Sequence, residues 1–204
     1  MNCRGEKTRI EIVANYIVEP IAHLRLLNGQ SKRSEAEADL TDQYYIFECT
    51  SKSNNKIVET IICGTGAASH FFRLTGQEKP PLFDPLKSES TTGGSGSCTD
   101  SISDLRKWNE KSKQLYAAIQ WLIICWDIIP RGAIIDIKRR LEKYSYKEPF
   151  VSQIKAINTI ISKDSSGKTL TQMIDRFRAN NDIKSYDFSL LTATLLSKNI
   201  QSYF

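Results

Sequence analysis

The fold is decided in residues 44–63, which have the sequence YYIFECTSKSNNKIVETIIC. Two runs rich in aromatic and β-branched residues lie on either side of a polar turn at residues 51–56. Such a pattern is typical of a β-hairpin, so we predict paired strands at residues 44–49 and 57–63. This pairing puts Cys49 near the turn and Cys63 at the far end of the second strand, which separates the two thiols.

The second predicted strand leads into a turn made of Cys63, Gly64, Thr65 and Gly66, with a helix-like segment behind it. Backbone N–H groups at a helix N-terminus can bind an anion, so these four residues form a possible anion-binding turn. The third glycine and the Lys-Ser or Lys-Thr pair of complete nucleotide-binding motifs do not follow. Two alternatives stay open. One is a reactive Cys63 near His70, and the other is a plain strand-to-helix connection.

Residues 8–27 carry apolar side chains at steps of three or four, which predicts one amphipathic helix with a kink at Pro20. Asn28 and Gly29 are typical of a helix end. Together with the hairpin and the helix after it, this segment gives an N-terminal helix and β-hairpin-helix domain at residues 1–87.

Residues 88–103 consist largely of Ser, Thr and Gly. Such a segment cannot bury enough apolar surface to offset the entropy lost on ordering, so we predict a flexible linker. The alternative is a long loop inside one domain.

Residues 104–204 contain five segments with apolar residues at helical spacing, separated by turn sequences at residues 130–132, 165–167 and 180–181. We predict that the first helix begins at Ser103 and Asp104 and that about five helices form an all-α bundle. The predicted fold class is therefore α+β.

Charge is unevenly distributed along the chain. Residues 1–105 hold 11 Lys and Arg against 14 Asp and Glu, whereas residues 106–204 hold 17 against 9. A basic half favours an anionic partner, above all nucleic acid, although it is also compatible with ordinary solvated surface.

A basic cluster on the second predicted helix of this half is the candidate nucleic-acid-binding site. Tyr144 and Tyr146 lie within it, and cations beside aromatic rings suit phosphate and base contacts. The segments at residues 169–177 and 189–197 also have the lengths of a helix-turn-helix pair. The cluster consists of Lys138, Arg139, Arg140, Lys143 and Lys147.

An enzymatic alternative uses Asp127, Asp136 and Lys138. Two carboxylates that hold magnesium and a lysine that steadies the attacking water are typical of metal-dependent nucleases. That chemistry requires Asp136 and Lys138 to point the same way from a strand. The helical spacing of the neighbouring apolar residues instead predicts a helix.

The five cysteines show no pair at the spacing of zinc or redox motifs, which favours reduced thiols, and no apolar run is long enough to cross a bilayer. We expect a cytoplasmic, non-enzymatic binding protein with no cofactor and no metal. Its basic half contacts nucleic acid and its N-terminal part supports assembly or a protein partner. We further expect a bacterial or mobile-element accessory protein, and the alternative is a pure protein-interaction adaptor.

Overall fold

The computed structural model describes residues 1–87 and 108–204. The chain divides into two compact units, which we call the N-terminal unit (Met1–Pro85) and the C-terminal unit (Leu86–Phe204). Helices and strands are both present, so the α+β class is confirmed. The predicted linker at residues 88–103 lies outside the described residues.

The N-terminal unit combines two helices with two small sheets. Strands β1, β4 and β5 form an antiparallel sheet in the order β1-β4-β5, and β2 pairs with β3. The elements are α1 (Glu6–Asn15), β1 (Tyr16–Arg25), β2 (Lys32–Arg33), β3 (Asp39–Leu40), β4 (Gln43–Ser51), β5 (Val58–Cys63) and α2 (Thr65–Thr75).

The predicted hairpin is confirmed as β4 and β5. Tyr45 lies opposite Cys63 and Cys49 lies opposite Glu59, so the two thiols are at opposite ends of the hairpin as expected. Alternate residues of β4 point into a core with the second helix, where the rings of Phe47 and Phe71 have centroids 5.3 Å apart. In β5 the face that carries Ile61 and Cys63 is buried, and this fixes the register, because a shift of one residue would expose that face.

The single helix predicted at residues 8–27 is wrong. Helix α1 ends at Asn15, and Tyr16–Arg25 is a strand paired with β4. Proline inside a helix costs roughly 3 kcal/mol because its ring clashes with the preceding turn and it lacks an N–H group. In β1 the register shifts between Pro20 and Ala22, and β1 is at the edge of the three-stranded sheet, where a missing N–H is tolerated.

The C-terminal unit has five helices among its described residues, as predicted. Helix α3 is the most buried, with ten buried residues that include Leu115, Ile119 and Trp121. The helices are α3 (Glu110–Trp126), α4 (Ala133–Lys143), α5 (Val151–Ile161), α6 (Leu170–Arg178) and α7 (Ser189–Leu196).

The predicted helix start at Ser103 and Asp104 lies outside the described residues, and helix α3 begins at Glu110. Its N-cap is Asn109, whose side-chain oxygen accepts hydrogen bonds from the backbone N–H groups of Lys111 (3.0 Å) and Ser112 (3.3 Å). A capping asparagine satisfies donors that have no partner within the helix, so the helix starts at Glu110.

Candidate functional site

The basic cluster predicted from sequence lies on helix α4 and the loop that follows it. Ile134, Ile137 and Leu141 are buried and anchor one face of the helix, while Arg139, Arg140 and Lys143 are exposed on the other side. Lys147 is exposed in the loop beyond the helix. The prediction of cations opposite the apolar stripe therefore agrees with the structure for these side chains.

The placement of Lys138 among the exposed cations is wrong. This side chain is only 2% exposed, and its Nζ donates a hydrogen bond of 2.5 Å to Glu142. Nζ also lies 5.4 Å from the centroid of the Tyr116 ring, and burial lowers the pKa of Lys138. Position 138 follows Ile134 by four residues and precedes Leu141 by three, so helical geometry puts it on the buried stripe. Lys138 is a structural residue.

A pocket of about 390 Å³ lies beside the exposed cations. Arg140, Tyr144, Lys147 and Phe150 are among the residues that line it. The carbon at the centre of the Arg140 guanidinium lies 4.3 Å from the centroid of the Phe150 ring, within the range of a cation–π contact.

The lysines of this region also lie over aromatic rings. Lys143 Nζ is 5.5 Å from the centroid of Tyr144, and Lys147 Nζ is 5.2 Å from Tyr144 and 5.6 Å from Tyr146. We call the whole group the basic–aromatic surface. It consists of Arg140, Lys143, Tyr144, Tyr146, Lys147 and Phe150.

The charge of this surface is not neutralised locally. Glu148 lines the pocket but is ion-paired with Lys111. Within residues 1–87 and 108–204, Arg140, Lys143 and Lys147 form no ion pair with a carboxylate. Three positive charges without carboxylate partners next to a concave surface create a positive potential that attracts anions.

The loop after α4 is tied to the start of α3. The N–H of Asn109 donates to the carbonyl of Ser145 (2.9 Å), and the buried hydroxyl of Ser112 donates to the carbonyl of Lys147 (2.6 Å). The N–H of Lys147 also donates to the carbonyl of Tyr144 (2.9 Å). These bonds fix the backbone that carries the aromatic rings, so the surface is organised before any ligand arrives.

Phe150 is a site residue that was not predicted from the sequence. Its ring is 54% exposed, and it occupies the N-cap position of α5 directly after the buried Pro149. Ser, Thr, Asp and Asn are the residues preferred at an N-cap. An aromatic residue where a capping residue is expected is the signal that could have identified it from sequence.

The possible anion-binding turn lies where β5 meets α2. Gly64 is the N-cap of α2, and Gly64, Thr65 and Gly66 line a second pocket of about 360 Å³. Asp39 and Asp42 line the same pocket. Asp42 is ion-paired with Arg25 (2.6 Å), but the carboxylate of Asp39 opposes the attraction that the helix N-terminus offers to an anion, so the local charges do not favour an anion there.

Cys63 is fully buried, and the structure does not pair it with His70. A hydrogen bond to Cys3 and burial raise the pKa of Cys63 far above its ordinary value. The Nδ1 atom of His70 instead accepts a hydrogen bond of 2.8 Å from Nε of Arg9. Because the thiolate is the nucleophilic form, this environment disfavours a reactive cysteine.

The residues of the nuclease alternative are not arranged as that chemistry requires. Asp136 is exposed on helix α4, Lys138 is buried with Glu142, and Asp127 is the C-cap of α3. No strand presents Asp136 and Lys138 together. Within the described part of the chain, no group of three or more His, Cys, Asp or Glu side chains could hold a metal ion.

The helix-turn-helix prediction also lacks its expected geometry. Helix α6 ends at Arg178 and α7 begins at Ser189, so the connection is much longer than the three or four residues of that motif. Helix α7 itself has the sequence SLLTATLL, which contains no cation for phosphate contacts.

The fold and the site define an α+β protein whose C-terminal unit carries a basic, aromatic-lined pocket. The chain belongs to the family described as "Uncharacterised conserved protein UCP028583", whose model matches residues 1–202. Searches of curated proteins and of solved structures found no match. None of the helices among the described residues has the length and apolar character needed to span a membrane.

Proposed function

We propose that this protein is a non-enzymatic nucleic-acid-binding protein and that the basic–aromatic surface is its contact site. The observation that supports the proposal most directly is that Arg140 and Lys147 line one pocket together with Tyr144 and Phe150, while Lys143 lies over the Tyr144 ring. These three cations have no carboxylate partner within the described residues. Arg139 and the net positive charge of residues 106–204 add to the attraction for a polyanion.

Counterion release makes the binding of a nucleic acid to these cations dependent on salt concentration. Each cation that neutralises a phosphate releases a condensed counterion, so the logarithm of the binding constant falls with the logarithm of the salt concentration. Three phosphate contacts correspond to a slope of about −2 to −3. Removal of the three charges should therefore weaken binding and also flatten this slope.

The experiment measures binding of the full chain to fluorescently labelled DNA and RNA oligonucleotides by anisotropy over a series of salt concentrations. The test variant changes Arg140, Lys143 and Lys147 to Gln together. A matched control changes three exposed cations of the same unit outside this surface, which are Lys163, Arg176 and Lys198. Both variants lose the same formal charge, so net charge alone cannot explain a difference between them.

We expect the test variant to lose most of its affinity and the control variant to lose little. No salt-sensitive binding at low ionic strength would refute the proposal. Equal losses in the two variants would refute the assignment to this surface. If a protein partner copurified and no nucleic acid bound, the adaptor alternative would replace the proposal.

The proposal includes a role for the N-terminal unit in assembly or in binding a protein partner. Exposed Ile17 and Val58 both lie opposite Thr50 on neighbouring strands, and Ile10 is exposed on helix α1. Exposed apolar side chains that lie close together are typical of protein contact surfaces. The proposal also places the protein in the cytoplasm of a bacterium or of the host of a mobile element. Free thiols at Cys3, Cys49, Cys63 and Cys125 suit a reducing compartment.

A further inference from the structure

Two aromatic rings of the basic–aromatic surface are strongly exposed. Tyr146 is 63% exposed and Phe150 is 54% exposed, whereas the other Phe, Trp and Tyr residues of the chain are buried or half-buried. Exposed aromatic area in water is unfavourable. The cation–π contacts of Phe150 with Arg140 and of Tyr146 with Lys147 offset only part of this cost, because such contacts are weak at exposed sites.

Phe150 occupies the N-cap position of helix α5, where an aromatic ring does not help to cap the helix. Its backbone N–H donates to the side-chain oxygen of Gln153 (2.9 Å), which is one half of a capping box. A phenyl ring has no acceptor atom and cannot supply the other half, which a Ser or Thr hydroxyl normally provides. The ring thus occupies a position where a small polar residue would stabilise helix α5 better. Local rules of stability are most often broken where a residue serves binding.

The rings are also held on a fixed frame. Hydrogen bonds from the backbone N–H of Asn109 and the side-chain hydroxyl of Ser112 anchor the loop at Ser145 and Lys147, between and beside the two rings. Pro149 is buried immediately before Phe150. A ligand that stacks on these rings would lose little binding energy to the ordering of the loop.

We infer that the basic–aromatic surface binds single-stranded nucleic acid, with bases stacked on Tyr146 and Phe150 and phosphates held by Arg140, Lys143 and Lys147. This inference rests on the proposed function. Cations alone hold the phosphates of a duplex and of a single strand alike. An aromatic side chain can stack on a base only where the face of the base is accessible, and in a duplex the base faces are already stacked on one another. The pocket of about 390 Å³ is concave enough to receive an unstacked base.

The experiment compares one labelled DNA sequence as a single strand and as a duplex, with the single-stranded RNA of the same sequence as a third ligand. The variants are Phe150→Ser and the pair Tyr146→Ala and Tyr146→Phe, all in the full chain. Phe150→Ser replaces the ring by a preferred N-cap residue, so folding should be preserved or improved, and thermal unfolding of the variant checks this. Tyr146→Phe keeps the ring and removes only the hydroxyl.

We expect the wild-type chain to bind the single strand at least tenfold more tightly than the duplex. Phe150→Ser and Tyr146→Ala should each weaken single-strand binding about tenfold and weaken duplex binding much less, so that the preference for the single strand falls. Tyr146→Phe should bind as the wild type does. The salt slope should respond only to the cation variant described above.

The outcomes separate this inference from the proposed function. If both forms bind with equal affinity and the ring variants change neither, the cations carry binding alone and the inference is overturned while the proposed function stands. If a free mononucleotide competes as well as the oligonucleotide does, the pocket binds a small ligand and the inference is overturned. If no nucleic acid binds, both fail together.

Discussion

Asn158 ties the last residues of the chain to the core of the C-terminal unit, and its replacement by Ala is the most direct test of the packing described above. The side chain is 3% exposed and lies on helix α5. Its Nδ2 donates to the carbonyl of Gln201 (2.8 Å), and its Oδ1 accepts from the N–H of Tyr203 (2.8 Å).

The expected cost follows from these two bonds. A hydrogen bond inside a protein contributes about 1 kcal/mol net, and a buried group left without a partner costs about 1–3 kcal/mol. Gln201 is exposed, so water can replace Asn158 at its carbonyl, whereas Tyr203 is half-buried. Asn158→Ala should therefore lower the free energy of unfolding by about 2–4 kcal/mol. Release of the chain end should also destabilise the start of α6, because the carbonyl of Tyr203 accepts a hydrogen bond from the N–H of Leu170 (2.7 Å).

Chemical denaturation measures the free energy, and amide hydrogen exchange at Tyr203 and Leu170 measures the release of the tail. Asn158→Asp keeps the acceptor for Tyr203 but buries a carboxylate whose second oxygen faces the carbonyl of Gln201, so it should cost at least as much as the Ala variant. Thr159→Ala changes the exposed neighbouring residue on the same helix and serves as the control. A loss below about 0.5 kcal/mol for Asn158→Ala, or exchange at Leu170 equal to that of the wild type, would refute this reasoning.

Three further predictions concern other parts of the fold. Asn109→Ala should lower the free energy of unfolding by about 1 kcal/mol, since it removes the cap of α3, and an unchanged denaturation midpoint would contradict this. Gly66→Ala should raise the free energy of unfolding by about 0.5–1 kcal/mol, because Gly66 lies in helix α2 and an added Cβ meets no atom within 4 Å. A lower free energy of unfolding in the variant would contradict this. Cys49 should resist alkylation in the folded chain at pH 8 and react after unfolding, because burial raises its pKa to about 12 from an ordinary value of 9.0, and mass spectrometry tests this. The same shift makes the Cys49 thiol lose its proton at a lower pH in the unfolded chain than in the folded chain, so the free energy of unfolding should fall as the pH rises above about 9, which denaturation at a series of pH values tests.

The hairpin and the C-terminal helices could be predicted because their signals are local. Strands β4 and β5 are joined by a short polar turn, and the helices α4, α5 and α6 each follow a strong three- to four-residue spacing of apolar side chains. The burial of Lys138 could also have been predicted from the sequence, since its position falls on the apolar stripe defined by Ile134 and Leu141. The prediction of an exposed side chain followed the charge of Lys138 instead.

The end of α1 could not be predicted from local spacing. Residues such as Ile17, Ile21 and Leu24 satisfy a helical period, and they become a strand because β4, whose paired residues lie 18 to 35 positions further along the chain, supplies the pairing. Tertiary pairing outweighs local preference when it satisfies a whole row of backbone hydrogen bonds. Pro20 was the local sign of this outcome, but it fits both a kinked helix and an edge strand.

The basic–aromatic surface also depends partly on the local sequence and partly on the tertiary structure. The sequence by itself determined the α+β class, the excess of positive charge in residues 106–204, and the position of Arg140, Lys143 and Lys147 beside two tyrosines. The tertiary structure removed Lys138 from that set and added Phe150 to it, and it alone brought Arg140, Tyr144, Lys147 and Phe150 around one pocket. It did so because a pocket needs walls from separate elements, and the wall here exists only when the loop after α4 bonds to Asn109 and Ser112, more than 30 residues earlier in the chain.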